Sequence, residues 1–276
     1  MFSSNRPTTP AEWKSAGRRI VPCKDKTPRI KDWSNPEKNI PEKEFRPDDN
    51  IGLILNQDTD WDIDNHNLKR FNEKYLKSCG AVYGRKSNPY SHYLFKESLE
   101  PFKYALPKEL ESYYKKFAHG ACLGEIRHGT GYQTIVPGSV INNEKVEWHT
   151  FADINAYSGD LKQDIGKIAL SGALSILYPP KGNHDNFCTA IAGVLSKHTE
   201  WTAGEIDEFV YTLAVFSNDE NAKNKMSKGT NAKNSTGNKL GIPTISEIVG
   251  CTNSTIGKLF SWIGVKDSGS LFTDLK

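Results

Sequence analysis

Asp60-Trp61-Asp62-Ile63-Asp64-Asn65 alternates acidic and apolar side chains. On a strand, successive side chains point to opposite faces. Trp61 and Ile63 then face a core, and Asp60, Asp62 and Asp64 share the other face. An apolar run, Ile51-Gly52-Leu53-Ile54-Leu55, and a polar turn, Asn56-Gln57-Asp58-Thr59, come just before. Together they predict a pair of strands. Carboxylates two residues apart on a rigid strand repel each other, and the usual reason to place them so is a shared divalent cation with oxygen ligands. A solvated acidic strand is the plain alternative. An EF-hand loop does not fit, since it needs Gly at its sixth position and Glu at its twelfth. Frames from Asp58 or Asp60 fail at both; from Asp62, Glu73 falls twelfth but Asn67 sixth.

The chain has 276 residues, enough for one or two domains with a sizeable core. Its net charge of +3 neither requires nor excludes nucleic acid, because clustering matters more than the sum. The five cysteines, Cys23, Cys79, Cys122, Cys188 and Cys251, form no CxxC pair. That argues against a zinc knuckle and against a disulfide framework, and fits reduced thiols in a cytosol. The start lacks the apolar core of a signal peptide, and the longest apolar stretch, around 168–178, is too short and polar to span a bilayer. A cytoplasmic protein without a membrane partner is expected.

Residues 1–10 read as a loose arm and 13–17 as a short helix. Arg19-Ile20-Val21-Pro22 reads as a strand, 24–28 as a basic turn and 36–50 as a charged loop. Leu68, Phe71, Tyr75 and Leu76 have helical spacing, with Gly80 as the cap of a helix over 68–78. Val82-Tyr83 starts a short strand. A basic loop, 84–89, leads to a strand over 91–95 with His92 at its start. Residues 107–117 read as a helix. Cys122-Leu123-Gly124-Glu125-Ile126-Arg127 is a strand with Glu125 and Arg127 on one face. A turn at 128–131 leads to a strand over 132–136, and Asn142-Asn143 turns a hairpin between 140–141 and 146–148. Beyond Ser158-Gly159 helical spacing takes over. One helix ends at Pro179-Pro180. A second carries Phe187, Ile191, Val194 and Leu195. A third runs from a Thr202/Glu205 capping box to Phe216, and a fourth begins near Asp219. An Asn/Lys-rich segment over 221–239 precedes short helices at 242–249 and 254–262.

Three strands thus carry polar groups suited to one site: Asp62 and Asp64; His92 behind Arg85 and Lys86; and Glu125 with Arg127. The ordered series Asp-x-Asp, Ser91-His92, Glu125-x-Arg127 resembles the three motifs of the archaeo-eukaryotic primase superfamily, in particular the primase-polymerases of phages, plasmids and related mobile elements. Asn50-Ile51-Gly52-Leu53, Gln133-Thr134-Ile135-Val136-Pro137-Gly138-Ser139 and the opening Ile20-Val21-Pro22 with Trp33 extend the resemblance over residues 15–150. It continues more weakly into Pro179-Pro180-Lys181-Gly182-Asn183-His184-Asp185-Asn186.

The resemblance implies an α+β fold: a mixed two-layer core with a module like the RNA-recognition motif over 1–157, then a small helical bundle over 158–276. Asp62, Asp64 and Glu125 would be catalytic and hold Mg²⁺ or Mn²⁺. Ser91, His92 and Arg127 would contact the nucleotide, with Arg85, Lys86, Gln133 and Ser139 as neighbours. No structural zinc is expected. The implied partners are a single-stranded DNA template and nucleoside triphosphates. No Walker lysine motif occurs, so a helicase would act in trans or within a longer parent chain. A non-catalytic single-strand-binding module and a metal-dependent nuclease are the competing readings. Lys223, Lys225, Lys228 and Lys233 make the helical segment a candidate holder of template or initiating nucleotide, with a solvated helix and linker as the alternative.

Overall fold

The computed structural model describes residues 6–76, 80–115, 120–151, 154–237 and 240–266. Chain contacts divide it into two compact units. The first takes residues 1–69, 76–103 and 124–162, and the second 70–75, 104–123 and 163–276. The boundary read from composition near 158 is therefore close to one of several crossings, because two earlier segments belong with the second unit.

Eleven strands occur among the described residues: β1 (Ile20–Lys24), β2 (Thr27–Pro28), β3 (Asn50–Ile54), β4 (Thr59–Ile63), β5 (Ala81–Arg85), β6 (Asn88–Phe95), β7 (Phe102–Ala105), β8 (Cys122–Arg127), β9 (Gln133–Ile135), β10 (Val140–Ile141) and β11 (Glu144–Phe151). They form a four-stranded sheet, β2-β1-β3-β9, and a seven-stranded sheet, β10-β11-β5-β6-β4-β8-β7. Nine α-helices accompany them among the described residues: α1 (Pro10–Ser15), α2 (Leu68–Tyr75), α3 (Glu111–Tyr114), α4 (Leu161–Ile176), α5 (His184–His198), α6 (Ala203–Phe216), α7 (Lys228–Asn234), α8 (Ile242–Val249) and α9 (Asn253–Phe260). The fold is α+β. No helix is long and apolar enough to cross a membrane among the described residues.

In the first unit the two sheets bury one core. Trp13, Ile20, Val21, Ile51 and Leu53 meet Tyr83, Leu94 and Val146 there. Removing this apolar area from water is the main gain, at roughly 25 cal/mol per Å². Strand β4, which lies between β6 and β8, is buried along its whole length, so the solvated-strand reading is wrong. Trp61 is 0 % exposed and sits over Gly124 of β8. The Asn142-Asn143 turn of the β10–β11 hairpin has positive φ at both residues, 53° and 62°, as a tight primed turn requires.

Several local expectations change. The basic turn at 24–28 shrinks to Asp25 and Lys26, since Thr27 and Pro28 pair with β1. The basic loop at 84–89 is a hairpin in which Arg85 pairs with Asn88, leaving Lys86 and Ser87 as the turn. His92 consequently lies inside β6, not at its start. The helix expected over 107–117 is a 3₁₀ turn, Lys108–Leu110, followed by α3; its last two residues lie outside the described ones, as do 77–78 of the helix over 68–78 and residues 1–5 of the arm. The remainder of that arm is anchored: Pro7 O accepts from Trp148 Nε1 at 3.1 Å, and Thr9 caps α1.

In the second unit, Ile165, Ile168, Phe187, Ile191, Phe209, Leu213, Ile256 and Phe260 are buried with 0–1 % exposure. Phe71 of α2 meets Phe216 edge-on at 5.1 Å. Thr202 and Glu205 form the capping box of α6. Asp219 begins no helix; it is buried, accepting from Tyr178 Oη at 2.8 Å and from Asn221 N at 2.9 Å. Three of the four lysines singled out in the Asn/Lys-rich segment are already engaged, while Lys223 is exposed. Lys225, 3 % exposed, and Lys228 pair with Asp185 at 2.9 and 2.7 Å, and Lys233 donates to Ser196 O. These contacts count against their use as a template-holding patch.

A Cβ at residue 124 would lie 2.5 Å from the Trp61 ring and 2.7 Å from Asp62 O. Gly124→Ala should therefore force β8 away from β4 and destabilise the protein by about 1–3 kcal/mol. Equilibrium urea unfolding measures this, and a wild-type midpoint would show that the ring can move aside.

Candidate active site

Strand β4 lies between β6 and β8. Asp62 is opposite His92 on one side and Glu125 on the other, while Asp60 is opposite Arg127. Directly opposed residues share a face, and so do residues two apart. Asp60, Asp62, His92, Glu125 and Arg127 therefore gather on one face, the reverse of Trp61. Three stretches of sequence separated by about thirty residues each meet over three adjacent strands.

The groups satisfy one another. Arg127 places Nη2 2.6 Å from Asp62 Oδ2 and Nε 3.1 Å from Glu125 Oε2. His92 Nδ1 lies 3.0 Å from Asp60 Oδ2 and 3.5 Å from Asp62 Oδ1. The Tyr83 ring stacks on His92 at 4.8 Å, and its hydroxyl bonds Thr134 Oγ1 of β9 at 2.9 Å. Asp60 is 0 % and Asp62 7 % exposed. Burial pushes the Asp62 carboxyl above its ordinary range, against the lowering effect of His92 and Arg127. Burial would lower the His92 imidazole, but Asp62 and Asp60 outweigh it and raise its pKa. Arg127 is also desolvated, yet the charges of Asp62, Asp60 and Glu125 hold its proton more tightly than usual.

A cleft of about 140 Å³ opens on this face. Its lining includes Lys26, Asp62, Asp64, Arg85, Asn88, Ser91, His92, Arg127, Gln133 and Thr134. Asp64 lies just beyond the end of β4 and is exposed. Ser91 is buried in β6, and Gln133 donates to Lys26 O at 2.8 Å. Glu125 is reached through Arg127 and does not line the cleft. Two expected neighbours are elsewhere. Lys86 is exposed in the hairpin turn, and Ser139 accepts from Ile51 N at 2.8 Å, a bond that ties the β9–β10 connection to β3. Asp60, Tyr83, Thr134 and Lys26 are additional members. Asp60 was visible in the alternation of β4, but its histidine partner was not.

Among the described residues, no three His, Cys, Asp or Glu side chains stand as a closed metal-holding group. The Arg127 guanidinium lies between Asp62 and Glu125 instead. The donor set is nonetheless one of hard oxygens, suited to Mg²⁺ or Mn²⁺, and a positive group already occupies the point on which two of the carboxylates converge.

A histidine with a raised folded pKa stabilises the fold fully below its unfolded value, about 6.5, and loses that contribution as pH rises through the folded value. Asp60→Asn should lower the His92 pKa and weaken this pH dependence, with Asp62 still raising it. NMR titration of the ring protons in metal-free protein reads it directly; an unchanged midpoint would show that Asp60 does not hold the imidazole. Comparisons with protein-family models, curated proteins and solved structures found no match, which leaves geometry and sequence as the ground for a functional reading.

Proposed function

We propose that the chain is a DNA primase-polymerase, catalysing template-directed, divalent-metal-dependent nucleotidyl transfer that makes and extends primers for a phage, plasmid or related element. The observation that carries this reading is the convergence of Asp62, His92, Glu125 and Arg127 on β6, β4 and β8 beside a cleft with Lys26, Arg85 and Ser91. The chain order β4-α2-β5-β6-β7-α3-β8, with spatial order β8-β4-β6-β5 for four of these strands, adds support. Apart from the inserted β7, this order resembles the βαββαβ arrangement of ferredoxin-like and RNA-recognition-motif sheets.

Asp62, Asp64 and Glu125 would hold Mg²⁺ or Mn²⁺. Such a metal, when bound, lowers the pKa of an attacking 3′-hydroxyl and neutralises the triphosphate and leaving pyrophosphate. His92, whose pKa Asp62 and Asp60 raise, would donate to a phosphate oxygen. Arg85 and Lys26 add positive charge along the cleft, and Ser91 and Gln133 supply neutral donors. Arg127, bound to two carboxylates, is the cation that can turn to the triphosphate. The template would be single-stranded DNA, with a helicase supplied in trans or by a longer parent chain.

Because Asp62 is buried and ion-paired, truncating it to alanine would leave Arg127 and His92 short of counter-charge, so isosteric variants are the cleaner test. Asp62→Asn and Glu125→Gln should each reduce incorporation of labelled nucleotide by at least about a hundredfold with the fold retained by circular dichroism. The assay supplies template, primer, nucleotides and Mn²⁺. Wild-type rates in both variants would sink the assignment; shortened DNA would point to a nuclease, and a gel shift without product to a binding module. A chain ending near Tyr157 does not separate priming from extension, because it removes α6 and with it the partner of buried Phe71.

A further inference from the structure

Two irregularities flank β5. On one side, Tyr83 pairs with His92 and Arg85 with Asn88, so residues 89–91 bulge opposite Gly84 alone. On the other, Trp148 pairs with Tyr83 and Thr150 with Val82, leaving His149 as the extra residue of β11. The displaced side chains find each other: the rings of Tyr90 and His149 stack at 4.2 Å with planes 24° apart. Tyr90 has φ +53°, a conformation that is an outlier for a bulky L-residue. Gly84 is required beneath it, since a Cβ there would lie 2.4 Å from Asn88 O and 3.0 Å from Tyr90 N. Strain of this kind persists where the surroundings enforce it, and it gathers at binding sites.

The strain does not serve to bury the ring. Tyr90 is 44 % exposed and lies outside the lining of the catalytic cleft. His149 Nε2 is buried and unbonded among the described residues. Burial and the nearby Lys69 charge lower the His149 pKa, so the imidazole is neutral near pH 7. Lys69 is fixed by its 3.1 Å bond to Asn88 Oδ1, and Lys86 stands exposed in the adjoining turn. An open aromatic face with cations beside it suits a base in a strand whose phosphates run past the lysines. A free nucleotide would need enclosing walls, and the Tyr90 ring is exposed and outside the lining of the cleft.

We propose that the Tyr90–His149 pair is a stacking platform for an unpaired base of single-stranded nucleic acid. Two residues along β6 from His92, it would hold a template base near the cleft, and in that placement the proposal rests on the primase-polymerase reading.

The probe is a fluorescein-labelled oligothymidine, with an abasic oligonucleotide of equal length as control, followed by anisotropy at fixed salt. Tyr90→Ala should weaken binding of the oligothymidine roughly five- to hundredfold, while Tyr90→Phe binds as wild type. Tyr90→Gly should weaken binding as much as Tyr90→Ala, yet melt no lower than wild type, because glycine accepts the positive φ. All four proteins should bind the abasic strand alike. Equal oligothymidine affinity in wild type and Tyr90→Gly would overturn the proposal, as would an equal loss on the abasic strand or no binding by wild type. Nucleotide incorporation, measured on the same preparations, tests the other reading separately. Tyr90-dependent binding without incorporation would keep the platform and remove the polymerase assignment.

Discussion

Asp60 and Asp62 are buried on one strand, and the first unit can hold them there because a nitrogen partner meets each. Arg127 reaches Asp62 at 2.6 Å from β8, and His92 reaches Asp60 at 3.0 Å from β6. Breaking such a buried pair from one side leaves an uncompensated charge and costs about 3–5 kcal/mol. The pairing depends on register. A slip of one residue along β6 or β8 would turn His92 or Arg127 to the opposite face, where Trp61 and Ile63 lie. The same slip would move Gly124 from under the Trp61 ring. Charge on one face and close packing on the other thus specify a single alignment of the three strands.

That alignment explains what the sequence could and could not show. Alternation is a local property, so the acidic face of β4 and the Glu125/Arg127 face of β8 were legible. Cross-strand register is not local, and the pairing of Asp60 with His92 was invisible without it. Asp64 continues the alternation on paper, but β4 ends at Ile63 and leaves it exposed at the rim of the cleft. The hairpin turn at Asn142-Asn143 was readable because turn chemistry acts over two residues. The β5–β6 turn was misread as a loop because Pro89, which cannot donate to a ladder, is absorbed in a bulge rather than ending the strand. Ser139 fitted a motif, yet its hydroxyl is committed to the Ile51 amide.

The helical unit shows the same limit in another form. Periodicity located α4, α5 and α6, and a capping box fixed the start of α6. Composition suggested a basic face over 221–239. What composition omits is the counter-ion: Asp185, forty residues earlier, takes both Lys225 and Lys228. A cluster of lysines in sequence is a candidate for binding anions only when no carboxylate of the fold has claimed it. Tyr178, Asp219 and His184 make a further closed set, with Tyr178 Oη 2.8 Å and His184 Nδ1 3.2 Å from the Asp219 carboxylate.

Arg127 differs from those lysines in its place and its company. It lies at the wall of a cleft, shared between Asp62 and the less buried Glu125, whereas Lys225 is sealed against its partner. A guanidinium offers five donors in a fixed fork, of which two are accounted for by these carboxylates. It can therefore bind an incoming anion without first abandoning both partners, or exchange one of them at modest cost. A lysine could hold Asp62 as well, but it has no second directed edge to present to a phosphate. Under the proposed function, the residue that keeps the acidic face folded without substrate is also the one placed to contact the triphosphate. The face stays electrostatically satisfied in both conditions, since each carboxylate released by Arg127 is one the catalytic cation would take.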